Sequence, residues 1–559
     1  MKRFGTFVDK KLYLIMFLIT SLLFMGFCSY TSPLYYFDVS SDANSFFTVG
    51  KSLMHGIVPY KDLFEQKGPY IYLIHGLASL MTPYSLTGVF PFEVLSLFLT
   101  MYLVYKICRL YTSHYYSLVT ALLAPFFQLM LPYFAQGDIV ESMLFPALLS
   151  LIYLVLKADQ VGFKISQKEW ILQGFLVGVV FFTKFTLLGS WIVFYLVMFV
   201  YYLIKKRYRD VKHLVIWSFA GFVVAVLPWI IYFWVTGSLK DFIQVYLVDN
   251  ITVYQSSFQS MANNASGSLN PLGKLFQSLA NMGIFIIGNP VILVLALIGI
   301  GFTLFKWKGF NNSFGKILFF SCALGNGLVA LYGHAIGHVY PYYNLTLMPY
   351  LLVPMAFVLI QVFKRFNFHN WFANKSIGVF LIFIISFVIV LAGNQNFTVS
   401  KIFPNNSSIS LSKSKVKSEP AQIIFGKIMR ENSSGRPTML NYGSLDVGFY
   451  TTSGALPNTK YFENQNISYQ FNPEILNNQL SVIKNRKVQW VVLNTLQGQS
   501  IQSWNGIGNS GIFGRIHVGN LTPATRGMSK MLLKNYRVVA IHSQRYEGIN
   551  ETFWLLKLK

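Results

Sequence analysis

The chain has 559 residues, of which 54% are hydrophobic, 17% aromatic and only 12% charged. A soluble protein of this length would carry far more surface charge, so the composition is that of a polytopic membrane protein. The formal charge is +25, but lysines and arginines sit mostly between apolar runs. Topology and anionic lipid account for them, and no nucleic-acid partner is implied.

The N-terminal "MKRFGTFVDKKLYLIMFLITSLLFMGFCSY" has a basic start, a spanning apolar core and no small-residue cleavage site. It reads as an uncleaved first helix at about 12–30. Apolar runs predict further spans at about 88–105, 115–134, 141–157, 171–183, 186–204, 214–235, 284–305, 316–333, 342–363 and 377–397, about eleven in all. With Lys2, Arg3, Lys10 and Lys11 in the cytoplasm, alternation brings every basic loop to that side. These are Lys106 and Arg109; Lys157, Lys164 and Lys168; "KKRYRDVK" at 205–212; Lys306 and Lys308; and Lys364 and Arg365.

An odd number of spans puts residues after about 398 outside. The expected organisation is an all-α membrane domain at 1–398, a linker at 399–420 and a small extracytoplasmic α/β domain at 421–559. In that last part "PTMLNYG", "KVQWVVLN", "RVVAIHS" and "TFWLLKLK" read as strands. "NPEILNNQLSVIKNR" and "SKMLLKNY" read as helices. Cys28, Cys108 and Cys322 lie in or beside apolar spans without metal-ligand spacing, so no disulfide or zinc site is expected.

The same threading gathers charge on the outer face: Asp38, Asp42, Asp62, Glu65 and Lys67 in the first loop, Asp138 and Glu141 in the second, and Lys184 at the third turn. Asp241 and Asp249 follow in the fourth, and His334 and His338 in the fifth. In the first loop "SSDANSFFTVGKSLMHG" predicts an amphipathic helix along the membrane, with Phe46, Phe47, Val49, Leu53 and Met54 on its apolar side. Ser40 or Ser41 can cap it, and capping chemistry alone would accommodate Asp42 in its first turn.

A second short helix starts at Pro69, behind Lys67 and Gly68. A lysine at a helix start can hold a phosphate, or can simply snorkel to the headgroups. Lys184, flanked by "FFT" and "FTLLG", needs an acid or an anion. His334 and His338 can bind a divalent metal if carboxylates complete the set, but loop histidines are more often hydrogen-bonders; no cofactor or metal ligand is firmly implied.

The order Asp, small residue, aromatic, then "G-x-x-L-x-x-G-x-x-P-Y-x-D" and "K-G-P" over about residues 35–80 resembles the first outer loop of GT-C glycosyltransferases. It is most similar to the bacterial branch related to dolichyl-phosphate-mannose protein mannosyltransferases and the lipid A aminoarabinose transferase. "GDIVESMLFPALLSLIY" extends the resemblance more loosely toward residue 400. The resemblance implies a polyprenyl-phosphate-sugar donor and a first-loop Asp acting at the outer face: Asp42 first, Asp38 second. Glu141 resembles the family's second-loop acid. The family often has Asp-Glu where this chain has Asp42-Ala43, which departs from any mechanism using two adjacent acids.

Transfer of a sugar to a hydroxyl needs a base for its proton and positive charge for the departing phosphate. Asp42 or Asp38 can be the base. Lys67 and Lys184 can hold the phosphate, and Tyr70, Tyr340 and Tyr343 can pack on the sugar or prenyl chain. Asp138, Glu141, His334 and His338 complete the substrate-facing set. The acceptor hydroxyl can belong to a glycan, lipid or protein of the cell envelope. A transporter or flippase, or a non-catalytic partner in polysaccharide assembly, is the alternative. A transporter would show mid-membrane charges and paired broken helices.

Overall fold

The computed structural model describes residues 2–254, 270–304, 310–367, 375–397, 419–465, 467, 469, 471–502, 528–546 and 549–559. Lys306, Lys308 and most of the linker expected at 399–420 lie outside these. The described chain forms two compact units. One comprises Met1–Ser29, Pro91–Trp229 and Leu269–Gln395; the other comprises Tyr30–Phe90, Ile230–Ser268 and Asn396–Lys559.

The helices are α1 (Lys2–Cys28), α2 (Ser41–Met54), α3 (Pro69–Met81), α4 (Phe90–Arg109), α5 (His114–Ala121), α6 (Pro125–Leu129), α7 (Val140–Gln160), α8 (Gln167–Lys184), α9 (Gly189–Ile204) and α10 (Tyr208–Val235). They continue with α11 (Leu239–Phe242), which runs into a π-helical stretch Ile243–Tyr254, then α12 (Pro271–Ile287), α13 (Pro290–Leu304), α14 (Ser313–Ala330), α15 (Met348–Arg365) and α16 (Lys375–Asn394).

Among the described residues seven helical segments are long and apolar enough to cross a membrane, or eight if one bent pair is a single span. Leu12–Cys28 and Gly189–Ile204 are shorter apolar helices. The gap from the expected eleven has local causes. The run at 115–134 is interrupted because Pro125 cannot continue α5 and instead opens α6. The run at 284–305 is two helices: Pro271–Ile287 and Pro290–Phe302 meet at 109°, with Pro290 starting the second.

Within the first unit glycines set the helix spacing. A Cβ on Gly174 would strike the Ser218 carbonyl, one on Gly221 the Ile171 carbonyl, and one on Gly178 the Ala225 methyl. These small residues let the backbones of α8 and α10 touch, as packing between helices in lipid requires.

The second unit holds the C-terminal α/β part: α17 (Ala421–Glu431), β1 (Met439–Asn441), α18 (Phe449–Ser453), α19 (Glu474–Lys484), β2 (Trp490–Leu496), α20 (Met528–Asn535), β3 (Tyr536–Tyr546) and β4 (Ile549–Leu558). Sheet order is β1-β2-β4-β3, with β1 and β2 parallel and the other pairs antiparallel. Both faces are covered. Leu556 joins Leu440, Val491, Leu493 and helix residues Val482, Ile483 and Leu532 in one core. Phe553, on the opposite face, packs tilted at 5.5 Å against Phe449, which stacks on Phe425 of α17.

The first loop belongs to this unit. Its α2 and α3 are so close that a Cβ on Gly50 would meet the backbone of Gly76 and Tyr72. Neither face of α2 is open: every residue from Ala43 to Ser52 is buried. The expected membrane-surface helix instead turns its polar stripe onto the C-terminal part. Asn44 accepts from the Thr451 hydroxyl at 2.8 Å, Ser45 donates to Glu463 at 2.6 Å, Thr48 donates to Asp446 at 2.6 Å, and the Lys51 ammonium donates to the Tyr450 carbonyl at 2.8 Å.

Candidate active site

The two first-loop acids differ in their local structure. Ser40 caps α2, its hydroxyl accepting from the Ala43 amide at 3.4 Å. Asp38 closes the turn before it, its carboxylate accepting from the Ser40 amide at 2.8 Å while its carbonyl accepts from Asn44 at 3.1 Å. Asp38 is only 3% exposed. Asp42, in the first turn, is partly exposed, and among the described residues no hydrogen bond or ion pair holds its carboxylate.

At the other end of the loop the Lys67 amide donates to Glu65 at 2.8 Å, and Glu65 also takes a short hydrogen bond from the Tyr72 hydroxyl. Burial, then Glu65, pushes the Tyr72 phenol well up, so it remains a donor. Tyr60 donates to the Lys67 carbonyl at 2.6 Å. Backbone and neighbours thus fix the turn, and the Lys67 ammonium lies 5.4 Å from the Phe46 ring centre. Gly68 caps α3 without a side-chain acceptor, Pro69 takes the first position and Tyr70 follows. Asp62 caps the Val58 amide at 2.8 Å, Asp241 pairs with Lys460 at 3.6 Å and Asp249 accepts from Gln244 at 2.8 Å. These three have local structural partners.

The first unit holds the remaining residues. Glu141, in the first turn of α7, forms a short buried ion pair with Lys184 at the end of α8. The Lys184 ammonium also lies 3.7 Å from the centre of the Tyr343 ring, which has Tyr342 stacked at 5.0 Å and His334 at 4.7 Å. Tyr340 stacks on Tyr342 at 5.6 Å. Burial, and then the Lys184 charge, lower His334 to about 4, so its ring is neutral at physiological pH. His338 is exposed and apart from this cluster. Among the described residues no group of three or more His, Cys, Asp and Glu is placed to hold a metal ion.

Asp138 has a left-handed backbone, φ 50°, and its amide donates to Glu93 at 2.8 Å. Glu93 is 1% exposed and also accepts from Ser29 at 2.7 Å. Sequence reasoning missed Glu93. Its signal was an acid inside the apolar opening of α4, "FPFEVLS", which a first-turn charge would equally explain. It also missed Asp446 and Glu463, which lie outside any recognisable motif.

Residues 66–232 match the family model described as dolichyl-phosphate-mannose-protein mannosyltransferase. The match takes in Lys67, Glu141 and Lys184 and begins after Asp38 and Asp42. No curated protein matches the sequence. The structure of ArnT from Cupriavidus metallidurans bound to undecaprenyl phosphate superposes with TM-score 0.54 at 10% identity, covering 97% of this chain and 97% of that one. The apo ArnT structure gives 0.53 at 11%, covering 99% and 98%. The chain therefore has the multi-pass membrane fold of the ArnT structures, the GT-C fold, and its residues 66–232 are similar to the dolichyl-phosphate-mannose-protein mannosyltransferase family.

Proposed function

We propose that the chain moves a sugar from a polyprenyl-phosphate-linked donor to a hydroxyl of a cell-envelope glycan, lipid or protein. The reaction takes place at the outer membrane face, with Asp42 as general base. The observation that carries this reading is the division between the two acids: Asp38 is buried and committed to the turn, whereas Asp42 is accessible and uncommitted. The similarity to ArnT, captured with undecaprenyl phosphate, supports a lipid-phosphate donor.

In the step, the acceptor oxygen attacks the anomeric carbon and its proton passes to Asp42. The bond from that carbon to the phosphate oxygen breaks, and the electron pair leaves with the polyprenyl phosphate. Lys67 and the uncapped start of α3 take up that charge. One base in direct displacement inverts the anomeric centre. Lys184, already neutralised by Glu141, serves chiefly to fix Tyr343 and the neutral His334 within the first unit. The N-terminus lies in the cytoplasm and the C-terminal α/β part outside. The bend between α12 and α13 is the feature a transporter would share, but it stands alone among the described residues, without the paired break of an inverted repeat.

Asp42→Asn keeps size and polarity and removes the base. Transfer by the purified variant should fall about 10²–10⁴-fold with normal membrane expression. Asp38→Asn should lower transfer less, and mainly through stability. Full activity in Asp42→Asn with loss in Asp38→Asn moves the base to Asp38; full activity in both makes the two acids structural and rejects a first-loop Asp as the base.

A further inference from the structure

The loop before α2, "YTSPLYYFD", carries four aromatic residues ahead of Asp38. Three are packed away: Tyr30, Tyr35 and Phe37 are 5%, 8% and 7% exposed. Tyr36 is left 37% exposed, and Tyr84, in the turn after α3, 52% exposed. Both rings border one small recess within the second unit, together with Asp38, Ser85, Thr87 and Thr451.

The two exposed rings are held in place. The Tyr36 hydroxyl donates to Glu419 at 2.6 Å. The Arg430 guanidinium lies 4.9 Å from the Tyr84 ring centre, and Arg430 is itself anchored by a short bond to the Thr452 carbonyl. Tyr84 also packs on Gly454, which has φ +71° and where a Cβ would collide with the ring. Backbone and charge are thus arranged to keep an aromatic face outward. Fixed aromatic faces combined with a few convergent hydroxyls and a carboxylate suit a ligand with one apolar C–H face and a polyhydroxylated edge.

The closed part of the recess is about 50 Å³. That is far below the ~300 Å³ of a pocket that encloses a whole ligand, so the recess takes a substituent rather than a ring. A pyranose would lie across the mouth on Tyr84 and Tyr36 and dip one arm toward Ser85, Thr87 and the Asp38 wall. Ser85 and Thr87 hydroxyls already pair at 2.7 Å, so each keeps capacity for another partner.

We infer that the recess bordered by Tyr36, Tyr84 and Asp38 binds a pyranose unit of the acceptor glycan. The choice of acceptor over donor rests on the proposed function, which assigns the donor phosphate to Lys67 and the base to Asp42, four residues beyond Asp38. The pyranose assignment itself rests on the recess alone.

The test is saturation-transfer NMR on the full chain in nanodiscs, with the methyl pyranosides of glucose, galactose, mannose and N-acetylglucosamine as probes. At least one probe should show saturation at its ring C–H protons. Tyr84→Ala should weaken it about tenfold, Tyr84→Phe should stay within about twofold, and both should melt like wild type because the ring is half exposed. Adding the undecaprenyl-phosphate conjugate of the responding sugar should leave the signal in place. Displacement would assign the recess to the donor sugar and overturn the acceptor role. No saturation by any probe, or equal saturation in Tyr84→Ala, would overturn the site. Asp42→Asn should bind the probe like wild type. If it also transfers sugar normally, the assignment of Asp42 as base fails while the recess stands.

Discussion

Lys51 and Glu463 should give the second unit opposite pH slopes that meet at pH 7–8. Burial pulls the Lys51 ammonium from its ordinary 10.5 to about 7, with Asp446 opposing and Arg436 adding to the fall. Burial pushes the Glu463 carboxyl from its ordinary 4.5 to about 8, with Asp446 and Glu65 adding and the Ser45 hydroxyl and Asp446 amide opposing. Between pH 4.5 and 8 the unfolded Glu463 loses its proton while the folded one keeps it, so stability falls as pH rises. Between pH 7 and 10.5 the folded Lys51 is neutral while the unfolded one stays charged, so stability rises with pH. Each slope is ~1.4 kcal/mol per pH unit. Glu463 therefore removes on the order of 3 kcal/mol between pH 4.5 and 7, the two cancel from 7 to 8, and Lys51 restores a similar amount by pH 10.5. Melts of the full chain in detergent at pH 5, 6, 7.5, 9 and 10 would be compared for wild type, Lys51→Met and Glu463→Gln. Relative to wild type, Lys51→Met should lack the recovery above pH 8, and Glu463→Gln should lack the loss below pH 7. Variants whose difference from wild type is constant across all five pH values would refute the reasoning.

Lys184→Ala strands the buried Glu141 carboxylate and should destabilise the first unit by ~3–5 kcal/mol, whereas the double variant Lys184→Met, Glu141→Leu should regain most of that in detergent melts. Equal melting of single and double variants would mean the pair is not isolated from water. Lys67→Ala should raise the KM for a polyprenyl-phosphate sugar while melting like wild type, and Lys67→Arg should retain part of the donor use; steady-state kinetics with an unchanged KM in Lys67→Ala would remove it from the site.

The four strands and two helices expected in the C-terminal part fall on β1 to β4, α19 and α20, because each strand is a short apolar run bounded by turn residues. The start of α2 at Ser41 and of α3 at Pro69 was equally legible from cap chemistry. The polar stripe of α2 was not. Asn44, Ser45, Thr48 and Lys51 read as a wet face because amphipathicity reports which side is polar and not what lies opposite. Their partners Thr451, Glu463, Asp446 and Tyr450 are 398 to 418 positions away, in segments without motifs of their own. The first half of α12 is not legible for a related reason: Lys274, Gln277, Ser278 and Asn281 interrupt its hydropathy, so the apolar run begins only near residue 284. Among the candidate site residues, Lys184 needed an acid by its position, and Glu141 answers it. His334 and His338 suggested a pair by spacing, but their segment is a turn rather than a helix, so helical spacing does not apply.

The bond from Thr48 to Asp446 joins residues 398 apart. At about 5–20 residues per second of synthesis, the ribosome needs roughly 20–80 s to pass from one to the other. Throughout that interval α2 exists without the surface that buries its polar stripe, while the helices of the first unit are being inserted. The loop that carries Asp42 is therefore among the first parts made and the last to mature. A chain interrupted before β4, the strand bonded to both β2 and β3, would leave the surface that buries the polar stripe of α2 unfinished. Residues 30–90 of such a product would be open to proteolysis.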